Sequence, residues 1–166
     1  MTYYDTFDTS QGSMLVATSD KGLAGVHFSR QKHHPGIGKD WKKVPQHKLL
    51  KQAKRELAEY FAGKRKRFEV PLAPDGTAFQ LSVWKAISTV GFGETISYGE
   101  LARRAGHDGS ARAAAAATGR NPIGIIVPCH RIMGADGSLT GYAGGLARKR
   151  ALLALEGVGC DPRGVG

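Results

Sequence analysis

The stretch Asn121-Pro122-Ile123-Gly124-Ile125-Ile126-Val127-Pro128-Cys129-His130-Arg131-Ile132 decides the reading of this chain. Its apolar run, Ile123 to Val127, predicts a buried strand that Pro128 brings to an end. At the mouth of that strand a single thiol, Cys129, stands beside an imidazole, His130. A thiol is a weak nucleophile until something takes its proton, and a neighbouring His is the usual device.

Downstream, residues 136–145 read Asp-Gly-Ser-Leu-Thr-Gly-Tyr-Ala-Gly-Gly, a flexible loop that carries Tyr142. Gly144-Gly145 lead into an apolar helix with Leu146, Leu152, Leu153 and Leu155, and Glu156 follows. Upstream lies Ala111-Arg112-Ala113-Ala114-Ala115-Ala116-Ala117. Alanine is the best helix former, so a helix from Ala111 to Thr118 is expected, with Ser110 as its cap. Such a helix either packs tightly against a neighbour or serves as a smooth rod with one long cation, Arg112, that can approach a nucleic-acid groove. Ser97-Tyr98-Gly99-Glu100 has capping-box spacing and opens a shorter helix that stops at Gly106. The two short helices make a helix-turn-helix candidate. Thr77-Ala78-Phe79-Gln80 is another capping box, and Phe79, Val83, Ala86, Ile87 and Val90 continue it as a helical face. Gly91-Phe92-Gly93 ends that helix.

The N-terminal half reads differently. Tyr3–Phe7, Met14–Ala17 and Gly22–Phe28 are expected as short strands in an antiparallel meander. Residues 29–45 form a loop. Residues 46–62 set Leu49, Leu50, Ala53, Leu57, Tyr60 and Phe61 on one helical stripe, with Gly63 just past the end. Phe68–Leu72 returns as a strand. Pro71-Leu72-Ala73-Pro74-Asp75-Gly76 then breaks the pattern, so two domains are expected, at 1–72 and 77–157.

The 166 residues suffice for a real core, and 41% hydrophobic with 23% charged residues is ordinary for a globular chain. No membrane-length apolar stretch and no signal-peptide layout is seen, so a cytoplasmic location is expected. There are two cysteines; Cys160, near the C-terminus, reads as incidental, and no Cys-x-x-Cys pair suggests a metal. The net charge of +10 is concentrated. Residues 30–67 hold 13 Lys/Arg against three acids and end in Lys64-Arg65-Lys66-Arg67. A polyanionic partner and a merely solvated basic face both account for this.

The Cys129, His130 and Glu156 trio has three readings. In a cysteine hydrolase, His130 activates Cys129 and Glu156 orients His130. Neighbouring strand residues point to opposite faces, so direct contact would need a turn or a bridging water. In a structural reading, Cys129 is a small core residue and His130 a satisfied polar one. In a transferase, Cys129 takes a group and keeps it.

The stretch Asn121 to Ile132 closely resembles the active-site signature of O6-alkylguanine-DNA alkyltransferases. Phe79 to Trp84, Gly93 to Tyr98, the Ala111-Arg112-Ala113 helix, Gly141 to Gly145 and the Leu-rich helix ending at Glu156-Gly157 extend the resemblance over most of residues 77–157. It implies a mixed α/β (α+β) fold. A small ribonuclease-H-like sheet domain would precede a helical, winged-helix-like DNA-binding domain with the helix-turn-helix. It implies DNA repair by direct reversal. A damaged guanine is flipped out of the duplex, and its O6-alkyl group passes irreversibly to Cys129, once per molecule. O4-methylthymine is a second candidate substrate. His130 would deprotonate Cys129 through a water, Glu156 would hold the imidazole, and Asn121 would order the turn. Tyr98 would donate toward N3 of the departing guanine. Tyr142, Ala143 and Gly144 would form a pocket wall, and the carbonyls of Cys129 and Ile132 would read the guanine amino group. Ser110, Ala111, Ala113, Ala115, Ala116 and Thr118 would meet the minor groove while Arg112 fills the stack. Double-stranded DNA is the implied partner, bound by a monomer that could cluster along it. No cofactor, no metal and no membrane is implied. Some relatives hold zinc on N-terminal cysteines that this chain lacks. The run Lys64–Arg67 lies outside the family's main DNA-contacting helix and is expected to add sequence-independent attraction. The alternatives are a non-transferring damage-recognition protein and a regulatory helix-turn-helix protein.

Overall fold

The structure is a computed structural model that describes residues 1–159. It divides into two compact units, Met1–Asp75 and a second that begins at Gly76. Cys160 lies outside the described residues.

In the first unit, β1 (Tyr3–Thr9), β2 (Gly12–Thr18) and β3 (Leu23–Phe28) form the expected antiparallel meander. A two-residue strand, β4 (Lys42–Lys43), pairs parallel to β1 within the segment expected to be loop, so the sheet order is β3-β2-β1-β4. Its two lysines carry no hydrophobic alternation that could announce a strand, and they suit an unprotected sheet edge. Helix α1 (Lys48–Phe61) packs on β1 and β2 through its buried stripe of Leu50, Ala53, Leu57 and Tyr60. His47 caps it, its Nδ1 accepting from Leu49 N at 3.1 Å.

The expected strand at Phe68–Leu72 does not form. Glu56, on the buried face of α1, takes the backbone donors that a ladder would need. Its Oε1 accepts from Glu69 N at 2.8 Å and from Val70 N at 3.2 Å. Burial raises the Glu56 carboxyl, but Gln52 and these two amides outweigh it and hold the group low. Only Leu72 reaches the sheet, as a single parallel bridge to Leu23.

The second unit opens with α2 (Ala78–Ile87). The Thr77 hydroxyl and Gln80 side chain complete a reciprocal capping box there. Helices α3 (Tyr98–Arg104) and α4 (Ala111–Gly119) pack on α2 and on each other, the arrangement a helix-turn-helix requires. Gly106 and Gly109 sit at φ of 83° and 85° in the connection, a conformation that costs glycine little. Two sequence expectations about caps are corrected. Ser97 accepts from Glu100 N, yet the Glu100 carboxylate turns to Arg103 and Arg104 instead of closing the box. Ser110 occupies the cap position of α4 without a side-chain hydrogen bond. Indole Nε1 of Trp84 donates to Ala117 O at 2.8 Å and locks α4 onto α2.

The largest correction concerns the opening stretch. Ile123 to Val127 is a turn, with Ile125 at φ 69°, and residues Cys129–Arg131 form one 3-10 turn. The run is apolar because it is buried, and burial alone does not distinguish a strand from a turn. A short strand follows, β6 (Ile132–Met133), which pairs parallel to β5 (Ile96–Ser97) just ahead of α3. Helix α5 (Leu146–Leu155) completes the unit. No helix of the described residues is long and apolar enough to cross a membrane.

Candidate active site

Asn121 builds the turn that presents Cys129. Its Oδ1 accepts from Ile123 N at 3.0 Å, while its Nδ2 donates to Val127 O at 2.8 Å and to Ile123 O at 3.3 Å. One side-chain amide thus spans the segment in which β-branched Ile125 takes a left-handed conformation, a strain that persists only where surroundings over-determine it. The chain then tightens through Cys129 N to Val127 O and Arg131 N to Pro128 O. A 3-10 turn rotates successive side chains by about a third of a circle. Cys129 and His130 are therefore not forced to opposite faces, which removes the difficulty that a strand would pose.

The imidazole of His130 is fully buried, and its Nε2 lies 2.7 Å from Glu156 Oε2. Glu156 also receives Arg131, Nε to Oε1 at 2.8 Å and Nη2 to Oε2 at 3.0 Å, a bidentate pair. Arg131 Nη1 continues to Val90 O at 2.7 Å. A carboxylate so occupied stays ionised and can only accept, so it places the imidazole proton on Nε2. Nδ1 is then a bare acceptor; it is buried and has no hydrogen-bond partner among the described residues. Burial holds the His130 pKa below the ordinary histidine value, although Glu156 opposes the shift. The ring therefore remains neutral at neutral pH and is available as a base.

Cys129 is only 6% exposed. Burial pushes its thiol up, against the opposing pull of the Asn121 side chain and the Lys149 charge. The resting form is a protonated thiol that needs a base to react.

Lys149 was not singled out in the sequence. It is 0% exposed, and its Nζ donates to Ile132 O at 2.5 Å, to Thr140 O at 2.6 Å and to Gly141 O at 3.3 Å. One ammonium thus ties the glycine-rich loop to the segment just after the thiol. Burial lowers its pKa to about 8, with Cys129 the opposing influence. The signal was available: Lys149 lies on the same helical stripe as Leu146, Leu152 and Leu153, but Arg148-Lys149-Arg150 reads as an exposed basic run. Nothing in the local sequence marks Arg131 as the clamp on Glu156 either.

The expected pocket residues gather around this centre. Burial pushes up the phenol of Tyr98, the first residue of α3, against a hydrogen bond with the Thr140 side chain. The Tyr142 ring meets the His130 ring edge-on at 6.5 Å. Ala143 and Gly144 form the turn that follows, ahead of α5. Ile132 is buried, and its carbonyl already accepts Lys149, which leaves one of its two lone pairs for a ligand.

On α4, Arg112, Ala113 and Ala116 are exposed, and Ser110, Ala111 and Ala115 are partly so. Thr118 is 6% exposed, and its hydroxyl bonds back to Ala114 O at 2.7 Å, so it lies on the packed side of the helix. Among the described residues no group of three or more His, Cys, Asp or Glu could hold a metal ion.

Known proteins match this arrangement along nearly the whole chain. Residues 2–74 fit the pattern described as 6-O-methylguanine DNA methyltransferase, ribonuclease-like domain, and residues 78–158 fit its DNA binding domain. A methylated-DNA--protein-cysteine methyltransferase of Methanosarcina acetivorans is 46% identical over 155 residues, covering 93% of this chain and 98% of that relative. The protein of the same name from Mycobacterium tuberculosis is 46% identical over 156 residues, 94% of this chain and 93% of its own length. The crystal structure of Mycobacterium tuberculosis OGT in complex with DNA superposes with a TM-score of 0.86 at 45% identity, covering 93% of this chain and 92% of that one. With both halves matched in order, this chain belongs to the 6-O-methylguanine DNA methyltransferase family.

Proposed function

We propose that this protein repairs DNA directly, moving the alkyl group of an O6-alkylguanine onto the sulfur of Cys129, once per molecule. The observation that carries the reading is the division of labour on His130: Nε2 is committed to Glu156, and Nδ1 is buried and unpartnered. The thiol proton passes to Nδ1 through one water. The Sγ lone pair then attacks the alkyl carbon, a carbon–sulfur bond forms and the carbon–O6 bond breaks. The electron pair left on the purine is met by the Tyr98 hydroxyl, a donor aimed where charge develops. Glu156 keeps the imidazole in the right tautomer and stabilises its charge. Nothing in this scheme hydrolyses the thioether, so the protein is spent.

The α4 face suits the recognition step. Its small side chains let the backbone come close to a groove, and the exposed Arg112 can occupy the gap left by a flipped base. Lys149 keeps the Tyr142 loop against the reactive turn. A cytoplasmic site of action, wherever the DNA is, belongs to the same reading.

The test is an intact mass after incubation with duplex DNA containing O6-methylguanine. Stoichiometric gain of about 14 Da on Cys129, absent in Cys129→Ser, is expected. Lesion binding without any mass gain would reduce the protein to a damage-recognition module.

A further inference from the structure

Most of the net charge lies between residues 30 and 67, in the first unit, whereas Cys129 and α4 belong to the second. The structure sorts those cations into engaged and free. Lys54 pairs with the buried Asp5. Arg65 pairs with Glu59 at 3.0 Å and donates to Arg67 O, so the Lys64–Arg67 run is partly structural. Lys42 and Lys43 occupy the sheet edge, where a lysine has the ordinary task of discouraging further strand pairing. Of the other cations, Lys48, Lys51 and Arg55 stand together on one helix. All three are exposed and none makes an ion pair among the described residues. They recur at i, i+3 and i+7 on one face of α1 and, with Gln46 and Gln52, line a groove of about 470 Å³.

Acids do not offset them. Of the three acids between 30 and 67, Glu56 faces inward and holds the 69–70 backbone, and Glu59 holds Arg65. Asp40 lies in the loop before β4, apart from the groove. A helix held by its apolar face gains nothing in folding from three like charges on the other, which repel one another at these spacings. Such a stripe is stabilised by an external polyanion.

We infer that the α1 stripe of Lys48, Lys51 and Arg55 is a second, sequence-independent contact to the sugar-phosphate backbone of DNA. The inference rests on the proposed function for the identity of the polyanion. Dimensions agree. Seven residues of helix advance about 10 Å, and one DNA strand presents a phosphate about every 3.4 Å of axis. The stripe therefore covers about three phosphates. The two glutamines add neutral donors to the same groove. Such a contact raises residence on undamaged DNA without reading sequence, which suits a protein that has to search for rare lesions.

The experiment compares the full-length wild type with Lys48→Gln/Lys51→Gln/Arg55→Gln. A control removes the same charge elsewhere on the unit, Lys21→Gln/Lys32→Gln/Lys39→Gln. Glutamine keeps helix propensity, so α1 persists. Binding to undamaged duplex DNA is measured from 50 to 200 mM salt. Each lost phosphate contact lowers the log–log slope by about 0.9, so the stripe variant loses about two to three units. Its affinity deficit then shrinks on the order of 40-fold across that range. The control moves the slope by less than one unit. Transfer from free O6-methylguanine base to Cys129 stays at the wild-type rate. A stripe slope equal to wild type, or equal losses in stripe and control, overturns the inference. So does an outcome in which the stripe variant loses only its binding to vesicles of phosphatidylserine, which would make the partner a membrane surface. Failure of wild-type transfer would sink the proposed repair activity but leave the slope comparison intact.

Discussion

His130 Nε2 and Glu156 Oε2 stand 2.7 Å apart with both side chains fully out of contact with solvent. The contact fixes which imidazole nitrogen is free, and Arg131 fixes the carboxylate in turn. Replacing Glu156 by Gln keeps the shape and removes the charge. It frees the tautomer of His130 and leaves the guanidinium of Arg131 buried without its partner. Transfer is expected to slow at least a hundredfold, and stability to fall by about 3 kcal/mol. Single-turnover transfer and urea unfolding of the same preparation measure both. A variant as stable as wild type would show that Arg131 finds another partner.

The pH profile should have a plateau with two causes. Burial keeps His130 neutral below its ordinary value, so the acid limb lies below pH 6.5. At the other end Lys149, lowered to about 8 by burial, loses a proton and with it one of three donors to the loop carbonyls. Transfer from the free O6-methylguanine base to Cys129 is expected to decline above about pH 8. Lys149→Met should be slower on the plateau and should lack the alkaline decline. A decline that survives in Lys149→Met would assign that limb to another group.

His27 gives the first unit its own acid sensitivity. Burial, with help from His34, lowers its pKa from 6.5 to about 4. The unfolded chain therefore takes up the proton first as pH falls. Stability is complete above 6.5, declines from there to about 4, and has lost this contribution below that. The loss is at most about 3 kcal/mol. Urea midpoints at pH 7 and 5 should differ less in His27→Gln than in wild type.

Asn121→Ala leaves Ile123 N without its partner inside the core, while Val127 O keeps only Cys129 N. A cost of about 1–3 kcal/mol is expected. Asn121→Asp retains the acceptor but loses both donors, so it should fall between the two. Thermal unfolding ranks the three, and an Asp variant below Ala would mean that an added buried charge outweighs the recovered acceptor.

Arg112→Ala tests the helix face. Transfer from lesion-bearing duplex should drop on the order of tenfold, while transfer from the free base should not change. Equal losses on both substrates would place Arg112 in the folding of α4 rather than in the handling of DNA.

Periodic elements were legible in the sequence because their periodicity answers to one buried face. The β1–β3 meander, the α1 stripe and the Thr77 box all follow from local pattern. The elements that sequence reading lost are those where a distant side chain replaces a backbone partner. Glu56 takes the amides that would have made residues 68–72 a strand, and Asn121 bends an apolar run that reads as one. The proposed reactive residues stood out because Cys129 and His130 sit together in a recognisable stretch. Lys149 and Arg131 were not, since nothing local distinguishes a buried cation from an exposed one. Only the position of Lys149 on the leucine stripe betrays it. The burial of Thr118 was not legible because an alanine-rich helix has no apolar bulk to show which side faces in.

Glu156 receives His130, Arg131 and the amide of Gly93 at 3.4 Å, and it sits at the end of α5. The carboxylate that tunes the base is thus also a fastening for three separated parts of the unit. Drift in sequence is therefore channelled. A descendant that loses Glu156, His130 or Arg131 risks losing the whole domain along with the reaction. One that exchanges the sulfur of Cys129 gives up the chemistry while the architecture survives. Retirement of this activity in evolution has its most accessible route through the thiol, and inactive but well-folded descendants are expected to keep the clamp around it.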